Sequence, residues 1–220
     1  PELSEQDLFD LVSFAMLLAP PTPDATPSAA ANSGQVRFRE FGCASCHAED
    51  LTGPGGLVPA YSDLLLHDMG DAMADGIVMG LSTGREFRTQ PLWGVAAIGP
   101  YLHDGRADTL DAAIRAHDGE AHKAREAYAA AGAPQQAELI AFLESLGGRE
   151  LARPGLLPTT LSIGEPGEPG APRHLLGSQE QLQFLRGRAL FDRDVGVSLG
   201  LGPTFNGDSC RACHFDPTFG

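Results

Sequence analysis

Apolar residues recur at helical spacing in only a few short windows of this chain, and the stretches between them carry no period. In the first window, "SEQDLFDLVSFAMLL", Leu8, Leu11, Val12, Ala15 and Leu18 share one face. Ser4 with Asp7 three positions on makes a capping-box-like start, and Pro20 and Pro21 end the pattern, so a helix is expected over 4–18. A short helix is expected over Gly34 to Phe41. Asp108 or Thr109 caps another that runs through His117, an Ala-rich helix follows over 120–131, and Pro134 begins one that ends at Gly147. Ser178, with Gln181 three positions later, caps a last amphipathic helix, "SQEQLQFLRGRALFDR". Between residues 48 and 107 the text is rich in Gly and Pro and reads as long loops with short helical turns. Loops of this length usually wrap something.

Two helical windows repeat. Gly34-x-x-x-Phe38 matches Gly187-x-x-x-Phe191, and "SEQDLFDLVSFAMLL" is similar to "PQQAELIAFLESL", which closes the central region. With the aperiodic "PPTPDATPSAAANSG" and the Pro/Gly-rich 148–177 as connectors, five segments are expected. These are a closing helix at 1–19, a linker at 20–32, a domain at 33–147, a linker at 148–177 and the opening of a second domain at 178–220.

Composition narrows the function. The formal charge is −14 over 220 residues with no Lys/Arg cluster, which argues against nucleic acid or an anionic membrane and favours a basic redox partner protein. No run of eighteen apolar residues exists, so no membrane span is expected.

All 4 cysteines fall into two copies of one pattern, Cys43-Ala44-Ser45-Cys46-His47 and Cys210-Arg211-Ala212-Cys213-His214. This is the attachment motif for c-type haem. Two thiols add across the two vinyl groups of one haem, and the adjoining imidazole reaches the iron. Structural disulfides, a four-thiolate zinc site and redox-active thiol pairs compete with this reading, but none requires the trailing histidine. With 7 His in 220 residues, a chance His after one such motif is roughly 3%. Two covalently bound c-type haems are therefore expected, with His47 and His214 as iron ligands. Attachment of this kind takes place outside the cytoplasm, so a periplasmic or otherwise exported location follows.

The phrases "YSDLLLHDMG", "GREFRTQPLWG", "YLHDGRADTLDAAIRAHDGEA" and "LIAFLESL" cover most of 35–147. They resemble the di-haem cytochrome c peroxidase superfamily, most closely its branch of di-haem oxidoreductases. "LFDRDVGVSLGLGPTFNGDSCRACHFDPTFG" resembles the haem-binding opening of the other domain of that branch. The resemblance implies a mostly α fold: a cytochrome c-type haem domain with long loops, plus a partial second one. In the family the two segments occur in the opposite order. The chain is then a window on a longer polypeptide or, failing that, a tandem or permuted relative, and the second haem is expected to be completed by polypeptide outside these residues.

The resemblance also places the second ligand of the first iron fourteen residues after His103, at His117. A helix-ending histidine is the plain alternative. Met69 and His67 are rival ligands. Arg88, ahead of Arg85 and Arg106, is the candidate partner for a haem propionate, because a planar guanidinium fork suits a carboxylate. Trp93 is an electron relay or core packing; His122 and His174 are expected at the surface. The family admits an inter-haem calcium ion, to which no residue here is assigned.

Two functions follow as expectations. One is an oxidoreductase that passes electrons from an external donor to a second haem, which reduces hydrogen peroxide or oxidises a partner. The other is a non-catalytic electron-transfer cytochrome. No catalytic residue is assigned.

Overall fold

Two serines start the first two helices. In α1 (Glu5–Leu17), Ser4 accepts a hydrogen bond from the Asp7 N–H, as expected from the sequence; in α2 (Ala29–Glu40), Ser28 accepts one from Ala31. Helix α2 thus begins five residues before the expected Gly34. Its first turn is Ala-rich and carries no period, but Ser28 satisfies an N–H that would otherwise be orphaned.

The structure is a computed structural model that describes residues 3–53, 56–97, 99–147, 163–168, 170–195 and 210. It is mostly α, with six helices and two small sheets among the described residues. The chain divides into two compact units, Pro23–Glu150 and a discontinuous one made of Pro1–Thr22 with Leu151–Gly220.

In the unit Pro23–Glu150, α2 crosses α5 (Ala133–Ser145). The crossing point is Gly34, where a Cβ would lie 1.9 Å from the Glu138 carbonyl oxygen and 2.7 Å from the Phe142 Cβ. Any larger residue would push the helices apart. Around this point Phe38, Val95, Tyr128, Leu139, Phe142, Leu143 and Leu146 form the buried core. Arg37 of α2 adds an ion pair to Glu138 at 2.9 Å. Thr109, as expected, caps α3 (Leu110–Ala116) by accepting from Ala112, and His117 ends it. A turn over Gly119–Ala121 leads into α4 (His122–Ala130).

The Gly-rich region holds regular pairing that its sequence did not suggest. β1 (Leu51–Gly53) pairs antiparallel with β2 (Gly56–Val58), with Leu51 opposite Val58; β3 (Leu66–Asp68) pairs antiparallel with β4 (Glu86–Arg88), with His67 opposite Phe87. Each strand has three residues, too few for an alternating pattern to emerge.

In the other unit, α1 crosses α6 (Ser178–Asp192) at Gly187. A Cβ on Gly187 would lie 2.1 Å from the Asp10 carbonyl oxygen and 2.4 Å from the Phe14 Cβ. The match to the first crossing is residue for residue: Gly34 meets Glu138 and Phe142, Gly187 meets Asp10 and Phe14. Phe14 also packs at a tilt against Phe184 at 5.0 Å and against Phe191 at 5.6 Å. The expected face of α1 is corrected here. Asp10, Phe14 and Leu17 are buried, whereas Leu8 and Val12 are about half exposed. Helix α6 is also capped differently: Ser178 is its first residue, and Glu180 rather than Gln181 reaches back to accept the Gly177 N–H at 3.0 Å. The described end of the 148–177 stretch packs on this unit, where Ala19 donates to Ala171 and Arg173 to Leu17. The remainder of that stretch, 148–162 and 169, lies outside the described residues.

Candidate haem site

Helix α2 ends at Phe41, and Gly42 adopts a left-handed φ of 87° that turns the chain into a tight 3-10 turn, Cys43–Ser45. Cys46 and His47 both donate their N–H groups to the Cys43 carbonyl. The motif is thus wound into one compact turn on the end of a packed helix. Next to it, residues 61–63 run alongside 46–49 through three main-chain hydrogen bonds, from Tyr61 to Glu49, Ser62 to Ala48 and Asp63 to Cys46.

This pairing brings the Tyr61 carbonyl to His47. Nδ1 of His47 lies 2.9 Å from that oxygen, and since a carbonyl only accepts, Nδ1 must carry the proton. Ser62, fully buried, holds the turn by donating to the Thr89 carbonyl at 2.8 Å and accepting from Leu64 at 3.0 Å. His117 repeats the arrangement: its Nδ1 donates to the Ala113 carbonyl, one helical turn back, at 2.7 Å. Among the described residues, Nε2 of neither ring makes a hydrogen bond. Burial pushes His47 down to about 4, with His117 close enough to add to the effect, and burial lowers His117 as well. Both rings are therefore neutral at ordinary pH, the form that binds a metal.

The surroundings are apolar. Phe38, Tyr61 and Phe142 contact one another at centroid distances of 5.3 to 5.9 Å, and Phe38 lies 6.5 Å from the His47 ring. Cys43 packs against the same core, and burial pushes its thiol up to about 11; burial also raises Cys46, against an opposing hydrogen bond from Ser45. Both thiols are free. Redox-active thiol pairs have depressed pKa values, so these two do not fit that chemistry. Two unbridged thiols, two imidazoles locked in one tautomer and an aromatic wall do fit a haem, which thiols would attach and whose iron imidazole nitrogens would bind.

His67 lies 3.7 Å from the Cys46 sulfur by its Nδ1, but its nitrogens are engaged with carboxylates: Nε2 with Asp63 at 2.9 Å, Nδ1 with Glu120 at 2.9 Å. The Glu120 hydrogen bond holds His67 above the usual histidine range. Cys46, Asp63 and His67 also form the one cluster among the described residues with metal-ligand spacing. Met69 is half-buried and donates its N–H to the Arg85 carbonyl. Arg85 is paired with Asp68 and Asp71, and Arg106 with Asp104. Arg88 is exposed and, among the described residues, donates to Gln90 at 3.1 Å. Trp93 is half-buried, His103 stacks on Phe87 at 4.3 Å, and His122 and His174 are exposed. Of the second motif, Cys210 is half-buried, whereas Cys213 and His214 lie outside the described residues.

Sequence reasoning missed the two carbonyl partners, because a main-chain acceptor has no residue signature. It also missed Asp63 and Glu120, although Asp63 stands four positions before His67, a spacing that brings side chains together in many local turns.

Among the described residues, no helix is long and apolar enough to cross a membrane. No curated protein matches the chain. Residues 1–146, from α1 to the end of α5, match the family described as "Di-haem oxidoreductase, putative peroxidase". With two thirds of its length inside that match, carrying the first haem motif and His117, the chain belongs to the di-haem oxidoreductase family.

Proposed function

We propose that this chain is a di-haem c-type oxidoreductase that moves electrons between an external donor protein and a second haem, where hydrogen peroxide is reduced or a partner is oxidised. In this reading Cys43 and Cys46 would hold the first haem by thioether bonds, and His47 and His117 would supply ligand nitrogens to its iron. The observation that carries it is the pair of imidazoles whose Nδ1–H groups are both tied to main-chain carbonyls, at 2.9 and 2.7 Å, leaving both Nε2 atoms to a metal.

The haem would supply the reversible one-electron iron chemistry. The residues orient and enclose it. The Tyr61 and Ala113 carbonyls fix ring tautomer and rotation, and hydrogen bonds of this kind raise the basicity of the ligating nitrogen. Phe38, Tyr61 and Phe142 exclude water from one side of the site. Two histidine ligands leave no position for substrate at this iron, which suits it to storing and relaying electrons. Substrate then belongs at the second haem, held by Cys210, Cys213 and His214. Arg88, with no carboxylate partner among the described residues, is available to a propionate. The net charge of −14 favours a basic donor. Covalent attachment implies an exported, periplasmic location. The family's inter-haem calcium still has no residue assigned to it.

Intact mass of the protein purified from an exporting host tests the cofactor count: two haem increments are expected. The optical and EPR spectra of the oxidised form then test the role. A high-spin signal that responds to peroxide supports the oxidoreductase, whereas two low-spin haems inert to peroxide would leave an electron carrier instead.

A further inference from the structure

The residues that follow His117 are clamped onto a different part of the chain. Gly119 has a left-handed φ of 56° and lies directly on the main chain of 68–70: a Cβ there would come 2.1 Å from the Asp68 carbonyl oxygen and 2.7 Å from the Gly70 nitrogen. Only glycine permits that approach. Beside it, Glu120 uses both carboxylate oxygens. Oε1 accepts the Asp68 N–H at 3.0 Å and Oε2 pairs with Nδ1 of His67 at 2.9 Å.

Nδ1 also lies 3.7 Å from the Cys46 sulfur, and the other nitrogen of the His67 ring reaches the haem-attachment turn through Asp63. Nε2 pairs with Asp63 at 2.9 Å, and the Asp63 N–H donates to the Cys46 carbonyl at 2.9 Å. The contacts therefore run without a break from the residue before His47, through Asp63, His67 and Glu120, to a point three residues beyond His117. Each link is short and polar. Both ring nitrogens of His67 are occupied, so the side chain that resembled a rival ligand is committed elsewhere.

We propose that Asp63, His67 and Glu120 form a strap that sets the separation of His47 and His117, with His67 and Glu120 as positioning residues for the His117 side of the first haem. This inference rests on the reading of His47 and His117 as the two histidines that would bind the iron of the first haem. Separation matters because a ligand nitrogen held even slightly too far from iron loses affinity, and partners of metal ligands typically change that affinity by roughly ten- to a hundredfold when removed.

The test uses the full-length holoprotein with cyanide as the competing ligand. His117→Ala identifies the low-spin signal that belongs to the first haem, as the one it abolishes. Glu120→Ala and His67→Ala are expected to weaken that same signal and to tighten cyanide binding at that haem by roughly ten- to a hundredfold. Glu120→Gln is expected to stay near wild type, because its amide can still accept from Asp68 and donate to a neutral His67. Far-UV circular dichroism of each variant separates local release from unfolding. Wild-type signal and cyanide affinity in folded Glu120→Ala and His67→Ala would overturn the strap while leaving the ligand reading intact. Equal losses in Glu120→Gln and Glu120→Ala would assign the effect to charge and also overturn it. If His117→Ala abolishes no low-spin signal, the ligand reading and the strap fall together.

Discussion

Gly34 lies against the main-chain carbonyl of Glu138 so closely that an added Cβ would sit 1.9 Å from the oxygen. The obstacle is main chain on a packed helix, so no rotamer change can relieve it. On an exposed helix Gly→Ala would gain about 1 kcal/mol from propensity. Here overpacking dominates, and Gly34→Ala is expected to cost about 3 kcal/mol. Gly187→Ala, facing the Asp10 carbonyl at 2.1 Å, should cost a similar amount. Urea unfolding of each variant checks the sign. A stabilised variant would show that the helices part without loss.

Phe38 is 1% exposed and contacts Tyr61, Phe142 and the His47 ring. Phe38→Ala should destabilise the protein by about 3–5 kcal/mol through the cavity it leaves. Phe38→Leu should recover much of that. Recovery of stability without recovery of the wild-type haem spectrum would show that the ring itself also shapes the site.

Ser62, itself buried, joins two main-chain groups through one hydroxyl, the Thr89 carbonyl in a buried hydrogen bond and the Leu64 N–H in a part-buried one. Ser62→Ala leaves the Thr89 carbonyl and the Leu64 N–H without that partner, at a cost of about 1–3 kcal/mol. Because the Tyr61 carbonyl is the neighbouring group, the reduction potential of the first haem should shift in the same variant. Ser62→Thr, which retains the hydroxyl, is the comparison. An unchanged potential in Ser62→Ala would mean that the carbonyl is held by other means.

Asp111 accepts hydrogen bonds from Arg115 at 2.9 Å and from the Tyr128 hydroxyl at 2.6 Å. The Arg115 guanidinium, then the Tyr128 hydroxyl, hold its carboxyl below the usual carboxylate range. A depressed pKa in the folded state contributes stability above the unfolded value of about 3.9 and loses it as pH falls through the folded value. The advantage of wild type over Asp111→Asn should therefore be constant near neutrality and shrink below about pH 4. Denaturant unfolding across an acid series measures it. A difference that stays constant to low pH would assign the cost to shape rather than charge.

The helices were legible where a capping side chain marked their ends, as at Ser4 and Thr109. They were misread where the partner decides. The apolar residues of α1 point to a face bearing Leu8 and Val12, yet the buried face carries Asp10 and Phe14 because Gly187 of α6 admits the α1 main chain there. Spacing within one helix holds no information about a glycine some 170 positions away in sequence. At the haem site, Cys43, Cys46 and His47 are plain from their motif, and His117 came from resemblance to a family. The partners that orient both rings were hidden, being peptide groups. The Asp63–His67–Glu120 chain joins segments more than fifty residues apart, a distance no local pattern bridges.

The use of peptide carbonyls to orient both histidines has a consequence for how this site tolerates change. Every residue type carries the same acceptor, so substitution at 61 or 113 cannot delete the hydrogen bond; it can only move the main chain that presents it. Side-chain identity at those two positions is thereby released from the orientation of the two imidazoles. Tyr61 and Ala113 can answer to packing alone, and a scan of single replacements would pass over the very groups that aim the two rings.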